Sequence, residues 1–347
     1  MNMKQRLSIF LILAAALWLF AACSADDSQQ DDMEDARIQL RAVTRAASGE
    51  VEYGDIRVLL TCPDENSKTS GWFKYHEDDD TKYWATQDLK VKPGTRRYNF
   101  YGYMPASANL SGDIGVNAAG DSILTITGIS PLTDQDLCYV SGVVRSYEAK
   151  TPVAGFFGFE YRNSNYNDRT YLNLLFNHLL GRLVFKIKIG TDYYNLRRIK
   201  LKEVSIETKS ATTLSAAINL SVLKDNSGNV ANVAYTITNA TPITKKVLWT
   251  GTDFLSTTAS GSVGSVNVAV GGVVNDQYEL VCTYDVYDIK DNAPGQLLST
   301  RIARNKLSSL PTVGEERTLT LTVEPTYLYQ LSDNDLDNPT VKLNIED

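Results

Sequence analysis

The sequence predicts an all-β protein whose strands build sandwich or barrel layers. Three observations carry that reading. Nineteen tyrosines stand against four methionines, and threonine and valine are frequent, which suits the pleated, half-buried surface of strands. Short apolar runs recur between turn residues at intervals of about 8–12 residues. Several runs alternate with a period of two. Leu183, Phe185, Ile187 and Ile189 share one face, against Val184, Lys186 and Lys188, and Leu319, Leu321 and Val323 alternate with threonines. Convincing amphipathic helices are scarce.

The chain begins with a targeting pattern. Lys4 and Arg6 form a short positive region, Ile9 to Phe20 is apolar, and Phe20-Ala21-Ala22-Cys23 follows. A spanning helix needs about 20 apolar residues, and this run is shorter. The tetrapeptide resembles a bacterial lipobox, with Phe20 where Leu is more usual. The resemblance implies that residues 1–22 are removed and that Cys23 is acylated, becomes the new N-terminus and holds the chain at the outer membrane. Ser24-Ala25-Asp26-Asp27, Asp31-Asp32 and Glu34-Asp35 make an acidic tether with too little apolar content to fold. It resembles the surface-export signal of Bacteroidetes lipoproteins.

Residues 23–50 are expected to form this tether and a flexible presegment. Within it, residues 36–45 carry three arginines and a weak alternation of Ile38, Leu40 and Val43. Strands are expected at Val51–Leu60, at Arg97–Tyr103 with Pro105 as its stop, at Leu124–Thr127, at Cys138–Val144 and at Gly155–Tyr161. Trp72–Tyr75 and Lys82–Trp84 read as a hairpin around the acidic turn Glu77-Asp78-Asp79-Asp80. Tyr171–Leu180 fits a short helix or a strand equally well. A second half begins near Asn177. Beyond the alternating strand at Leu183–Ile189 it predicts strands at Ile199–Ile206, Ser215–Leu220, Ala234–Thr238, Lys246–Trp249, Ser265–Val270, Tyr278–Tyr287 and Thr318–Val323. Ser256–Val274, rich in Ser, Gly and Val, reads as a long surface hairpin.

Composition bounds the chemistry. A length of 347 residues is enough for two cores. A net charge of −7 argues against nucleic acid, which calls for a basic stripe. Beside Cys23, only Cys62, Cys138 and Cys282 occur, too few and too far apart for a disulfide scaffold or a CxxC zinc site. They read as buried, reduced cysteines acting as small apolar residues. His76 and His178 are the only histidines, a poor inventory for a His-dependent hydrolase, and no Ser/His/Asp, Cys/His or phosphate-loop constellation stands out. His76-Glu77-Asp78-Asp79-Asp80 reads as a solvated hairpin tip. Asp333, Asp335 and Asp337 lack the Gly and Glu of a Ca²⁺ loop. His178 reads as a structural histidine. No cofactor, metal or enzyme activity is expected.

Four segments resemble one family. Phe176-Asn177-His178-Leu179-Leu180-Gly181-Arg182-Leu183-Val184-Phe185 resembles the start of the second domain of Bacteroidetes fimbrillins, the type V pilins, with Gly181 where Ala is more usual. Arg97-Tyr98-Asn99-Phe100-Tyr101-Gly102-Tyr103-Met104-Pro105 resembles their aromatic strand. Pro325-Thr326-Tyr327-Leu328-Tyr329 and Asp337-Asn338-Pro339-Thr340-Val341 resemble their C-terminal segments.

The resemblance implies two tandem transthyretin-like Greek-key β-sandwich domains, here residues 51–176 and 177–347. It implies a fimbrial subunit that matures when an Arg-specific protease cuts between Arg45 and Ala46, with Arg41 as the alternative site. Its partners would be other copies or related fimbrillin subunits, the outer membrane through the lipid before cleavage, and host or bacterial surface receptors. A non-polymerising surface lipoprotein that binds glycan or protein, or a fimbrial anchor, is the alternative. Residues 339–347 fit a donor strand. Val341, Leu343 and Ile345 alternate with Lys342, Asn344 and Glu346, and burying each aliphatic is worth about 1.5–3 kcal/mol before ordering costs. The competing reading is an ordinary last strand of its own domain.

Cys23→Ala is expected to abolish lipidation and surface delivery. Surface proteolysis of intact cells checks this, and normal surface amounts of the variant would refute it.

Overall fold

The computed structural model describes residues 36–42, 53–78, 81–92, 96–145, 153–160, 171–209, 211–224, 232–241, 245–324 and 340–345. In chain order the strands of the first half are β1 (Ala36–Ala42), β2 (Ile56–Cys62), β3 (Ser67–Asp78), β4 (Thr81–Val91), β5 (Arg97–Met104), β6 (Ser111–Val116), β7 (Ser122–Ile129), β8 (Leu132–Thr133), β9 (Cys138–Arg145), β10 (Gly158–Glu160) and β11 (Tyr171–His178). Those of the second are β12 (Gly181–Ile189), β13 (Arg198–Thr208), β14 (Thr213–Asn219), β15 (Asn232–Asn239), β16 (Lys245–Thr250), β17 (Gly264–Val268), β18 (Tyr278–Lys290), β19 (Ala293–Lys306), β20 (Glu316–Glu324) and β21 (Thr340–Ile345). Thr191–Tyr194 forms a single helical turn between β12 and β13. The chain is all-β, as its composition and alternation predict.

Alternating strands are stable only when their apolar face is covered, and the first half does this by folding one sheet over. Eight strands run in the order β10-β5-β2-β3-β4-β1-β11-β9. β3 turns the corner: Ser67–Phe73 pairs with β2 and Lys74–Asp78 with β4. β9 then returns to β5, with Tyr103 opposite Tyr139 and Met104 opposite Cys138. The enclosed core contains Leu40, Ile56, Phe73, Trp84, Phe100, Leu174 and Phe176, all fully buried. Trp84 escapes the cost of a buried, unpaired N–H because Nε1 donates to the Gly54 carbonyl at 2.7 Å. Pro105 follows β5, as its missing N–H requires.

The second half stacks two sheets, β21-β20-β12-β17-β8 and β16-β13-β18-β19. The inward residues Leu183, Phe185, Ile187 and Ile189 of β12 meet Ile199, Leu201, Val204 and Ile206 of β13 and Leu280, Cys282, Tyr284 and Val286 of β18 in one apolar cluster. β20 lies parallel to β12, from Arg182 opposite Glu316 to Ile189 opposite Val323. Gly181 opens β12 beneath the segment that leads into β20. A Cβ there would lie 2.6 Å from Pro311 Cγ and 2.8 Å from the Thr312 carbonyl oxygen, so this chain has no room for alanine at the position.

Two sheets draw strands from both sides of residue 177. The order β15-β14-β7-β6 joins β7 to β14, from Leu124 opposite Ile218 to Ile129 opposite Leu214. β8 adds to β17. The larger core is accordingly continuous, running from Leu59, Tyr101, Tyr103 and Ile126 to Leu183, Tyr235 and Leu280. Two buried tyrosines anchor this core, and Tyr278 ties the halves through Pro131. The Tyr278 hydroxyl lies 2.7 Å from the Ala269 carbonyl oxygen and 3.2 Å from that of Pro131. Tyr235 donates to the Leu179 carbonyl at 2.8 Å. Burial raises the pKa of both phenols, which keeps them neutral donors.

Two segments differ from the sequence reading, and a third takes one of its two open alternatives. Ala36–Ala42, expected in a flexible presegment, is a strand inside the first sheet. Tyr171–His178 is a strand rather than a helix, because alternate residues face the core. Ser256–Val274 is not a surface hairpin: within it β17 pairs with β12 and β8, and Val266 and Val268 are buried. β6, β8 and β19 fall where the sequence predicts no strand. β19 is an edge strand that exposes Leu297, Leu298 and Ile302, so it lacks the buried face that marks a strand in sequence.

Residues 177–347 expressed alone are expected to give no cooperative thermal transition, because β14 and β17 each lose a neighbour and the shared core loses one wall. Circular dichroism melts with size-exclusion chromatography test this. A cooperative, monomeric fragment would show that the second half folds independently.

Candidate functional site

The first strand in the described chain has a neighbour on each edge. β1 pairs antiparallel with β4, placing Leu40 opposite Trp84 and Gln39 opposite Ala85, with a register shift between Arg37 and Gln39. It pairs parallel with β11 on its other edge, placing Leu40 opposite Leu172 and Ala42 opposite Leu174. Leu40, Trp84 and Leu174 are fully buried. The Arg41 guanidinium lies over the Tyr171 ring, 3.8 Å from its centroid. Removing such a strand leaves two facing rows of unpaired N–H and C=O groups above an opened apolar core, an arrangement that favours capture of another strand.

β21 lies at the edge of its sheet. It pairs antiparallel with β20, with Val341 opposite Val323, Leu343 opposite Leu321 and Ile345 opposite Leu319. Val341 is buried, and exposed Lys342 reaches Glu324 at 2.5 Å. In this chain the three alternating aliphatics therefore sit opposite its own β20. Cys23, Arg45 and Ala46 lie outside the described residues, as do Asp333, Asp335 and Asp337. Period-two reading alone would have found β1: Arg37, Gln39 and Arg41 alternate with Ile38, Leu40 and Ala42.

A second constellation escaped the sequence. Cys138 opens β9 directly opposite His178 at the end of β11, and Asp136 lies two residues before Cys138. His178 Nδ1 is 2.7 Å from Asp136 Oδ2. Cys138 Sγ is 3.5 Å from the same oxygen and 3.6 Å from the same nitrogen. Because thiol and carboxylate share one ring nitrogen, the group cannot act as a nucleophile–base–orienter relay, which uses both. Burial, reinforced by the Asp136 charge and its hydrogen bond, pushes the Cys138 thiol well above its usual range. Cys62, Cys138 and Cys282 are all free and buried, in keeping with their reading as small apolar residues, and burial pushes Cys282 up to about 12. In the expected acidic hairpin, Glu77 is engaged by the Tyr75 hydroxyl and by Lys82.

No protein-family model matches the sequence, and no curated protein matches it. Solved structures do match. A fimbrial protein from Bacteroides vulgatus shares 14% identity, covers 89% of this chain and 98% of its own, and superposes with a TM-score of 0.51. A candidate cell adhesion protein from Bacteroides uniformis shares 14% identity over 91% of this chain and 99% of its own, at a TM-score of 0.42. The fimbrial anchor protein Mfa2 from Porphyromonas gingivalis shares 10% identity over 89% and 96%, at 0.36. The first of these agrees in fold with the fimbrillin resemblance of the sequence. It carries the fold assignment: this chain has the all-β sandwich fold of a Bacteroidetes fimbrial protein.

Leu40→Asp is expected to destabilise the intact chain by roughly 3–5 kcal/mol, since it puts a carboxylate between Trp84 and Leu172 with no partner. Urea denaturation checks this. An unchanged midpoint would mean that β1 is not held in the sheet.

Proposed function

We propose that this chain is a structural subunit of surface fimbriae, delivered as a lipoprotein, matured by cleavage after Arg45 and polymerised by strand addition. The observation that carries the proposal is the position of β1. It is the first described strand, it is flanked on both edges, and residues 43–52, which contain Arg45, separate it from the rest of the chain. One cut in that stretch would break the chain between β1 and the strands that follow it, leaving sheet contacts to hold β1 against them. A strand from another copy would then regain both ladders and the cover over Trp84 and Leu174. Residues 339–347 supply the matching period-two pattern. The fold shared with a fimbrial protein from Bacteroides vulgatus supports a role at the cell surface in adhesion.

One observation favours the alternative of a subunit that does not donate, such as an anchor or a surface lipoprotein binding glycan or protein. β21 is already paired along its length with β20. Donation requires it to leave that edge, at the cost of uncovering Leu319, Leu321 and Val323, all buried.

The experiment follows the precursor through processing. Mature subunits are expected to begin at Ala46, and Arg45→Ala to leave unpolymerised precursor unless Arg41 substitutes. Deleting residues 339–347 should stop polymerisation while circular dichroism still reports a folded chain. Leu343→Asp should act similarly and Lys342→Asp much more mildly. Assembled fibres beginning at Cys23, or fibres formed by the truncated chain, would overturn the proposal. Unfolding of the truncated chain would assign β21 to its own sheet and favour the non-donating subunit.

A further inference from the structure

We propose that Asp136, Cys138 and His178 form a binding site for one borderline-soft divalent cation, with Zn²⁺ the fitting ion. The donors come from separate places in the sequence and are brought together by strand pairing. Cys138 and His178 are opposite one another across β9 and β11, Cys138 also faces Met104 of β5, and Asp136 lies just ahead of β9. One sulfur, one imidazole nitrogen and one carboxylate oxygen is a donor set suited to zinc rather than to Ca²⁺ or Mg²⁺, which take oxygen.

The spacing agrees with the chemistry. A tetrahedral ion with arms of about 2.3 Å to sulfur and about 2.0–2.1 Å to nitrogen and oxygen holds its donors roughly 3.3–3.6 Å apart. Cys138 Sγ already stands 3.6 Å from His178 Nδ1 and 3.5 Å from Asp136 Oδ2. Only the 2.7 Å contact between Nδ1 and Oδ2 must open, and it does so by exchanging a hydrogen bond for two bonds to the ion. Entry is from the surface, past the Asp136 and His178 side chains, which are 18% and 11% exposed.

The balance of the step is definite. The neutral Cys138 thiol gives its proton to solvent as the sulfur–metal bond forms. The imidazole proton leaves Nδ1 for Nε2, and the carboxylate keeps its charge. Thiolate and carboxylate together neutralise the ion. Because one proton is released, affinity should rise about tenfold per pH unit below the thiol pKa. Two features limit that affinity. Three protein donors leave the fourth position to solvent, and Nε2 is buried with no partner among the described residues, so its proton would gain no hydrogen bond. The site is therefore weaker than a closed four-ligand zinc site. An ion there would join β9, β11 and the loop before β9 beside the point where the chain enters β12.

The purified chain, in reducing buffer, is titrated with Co²⁺ and then Zn²⁺. The expected result is a thiolate-to-cobalt charge-transfer absorption that saturates at one equivalent and is lost on adding Zn²⁺. With it comes a rise in Tm of at least about 3 °C at saturating Zn²⁺. Cys138→Ser should abolish the absorption and the rise, and Asp136→Asn should weaken binding at least about tenfold. No charge-transfer absorption on the unaltered chain would overturn the proposal. So would an equal rise in Tm in both variants, which would assign the ion to surface carboxylates. If Cys138→Ser does not fold, Asp136→Asn and His178→Gln decide: unchanged cobalt affinity in both refutes the site.

Discussion

A strand with neighbours on both edges cannot leave without exposing two ladders, and this constraint governs how the first half is held together. β1 closes the path from β4 to β11, and through β11 and β9 the sheet returns to β5. The core over which it lies depends on that closure, since Trp84 and Leu174 on its two sides are fully buried. The fold thus rests part of its stability on one seven-residue strand.

The second half meets a different requirement. Its two sheets enclose an alternating core of the usual kind, but that core does not stop at residue 177. The pairing of β7 with β14 and the contact of Tyr278 with Pro131 make one half a wall of the other. Hydrogen bonds buried in such a seam are costly to break, because each would leave a carbonyl or phenol without water or partner. Gly181 answers a requirement within the second half, where β12 passes under Pro311 and Thr312 too closely for a side chain.

What the sequence disclosed follows from how local each signal is. β12 and β20 were legible because apolar residues at every second position face the core, within nine residues, and β5 because its aromatics are buried on both faces. β1 showed the same alternation but lay beside an acidic tether, and composition overrode periodicity. β19 was not legible because both its faces are largely exposed. Which strand pairs with which left no local trace: nothing around Leu124 points to Ile218. For the same reason Cys138 and His178, forty residues apart, showed no metal-ligand spacing although they meet across one ladder. The order and register of the sheets are set by long-range packing, and residue types alone do not encode it.

The mixed direction of the last sheet has a mechanical consequence. β12 and β20 are parallel, so tension between the start of one and the end of the other loads all their hydrogen bonds together, in shear. β20 and β21 are antiparallel, and the start of β20 lies beside the end of β21. A pull that separates those two ends opens one pair at a time, like a zip. A force applied at the C-terminus would peel off the last strand while the parallel pair behind it still held.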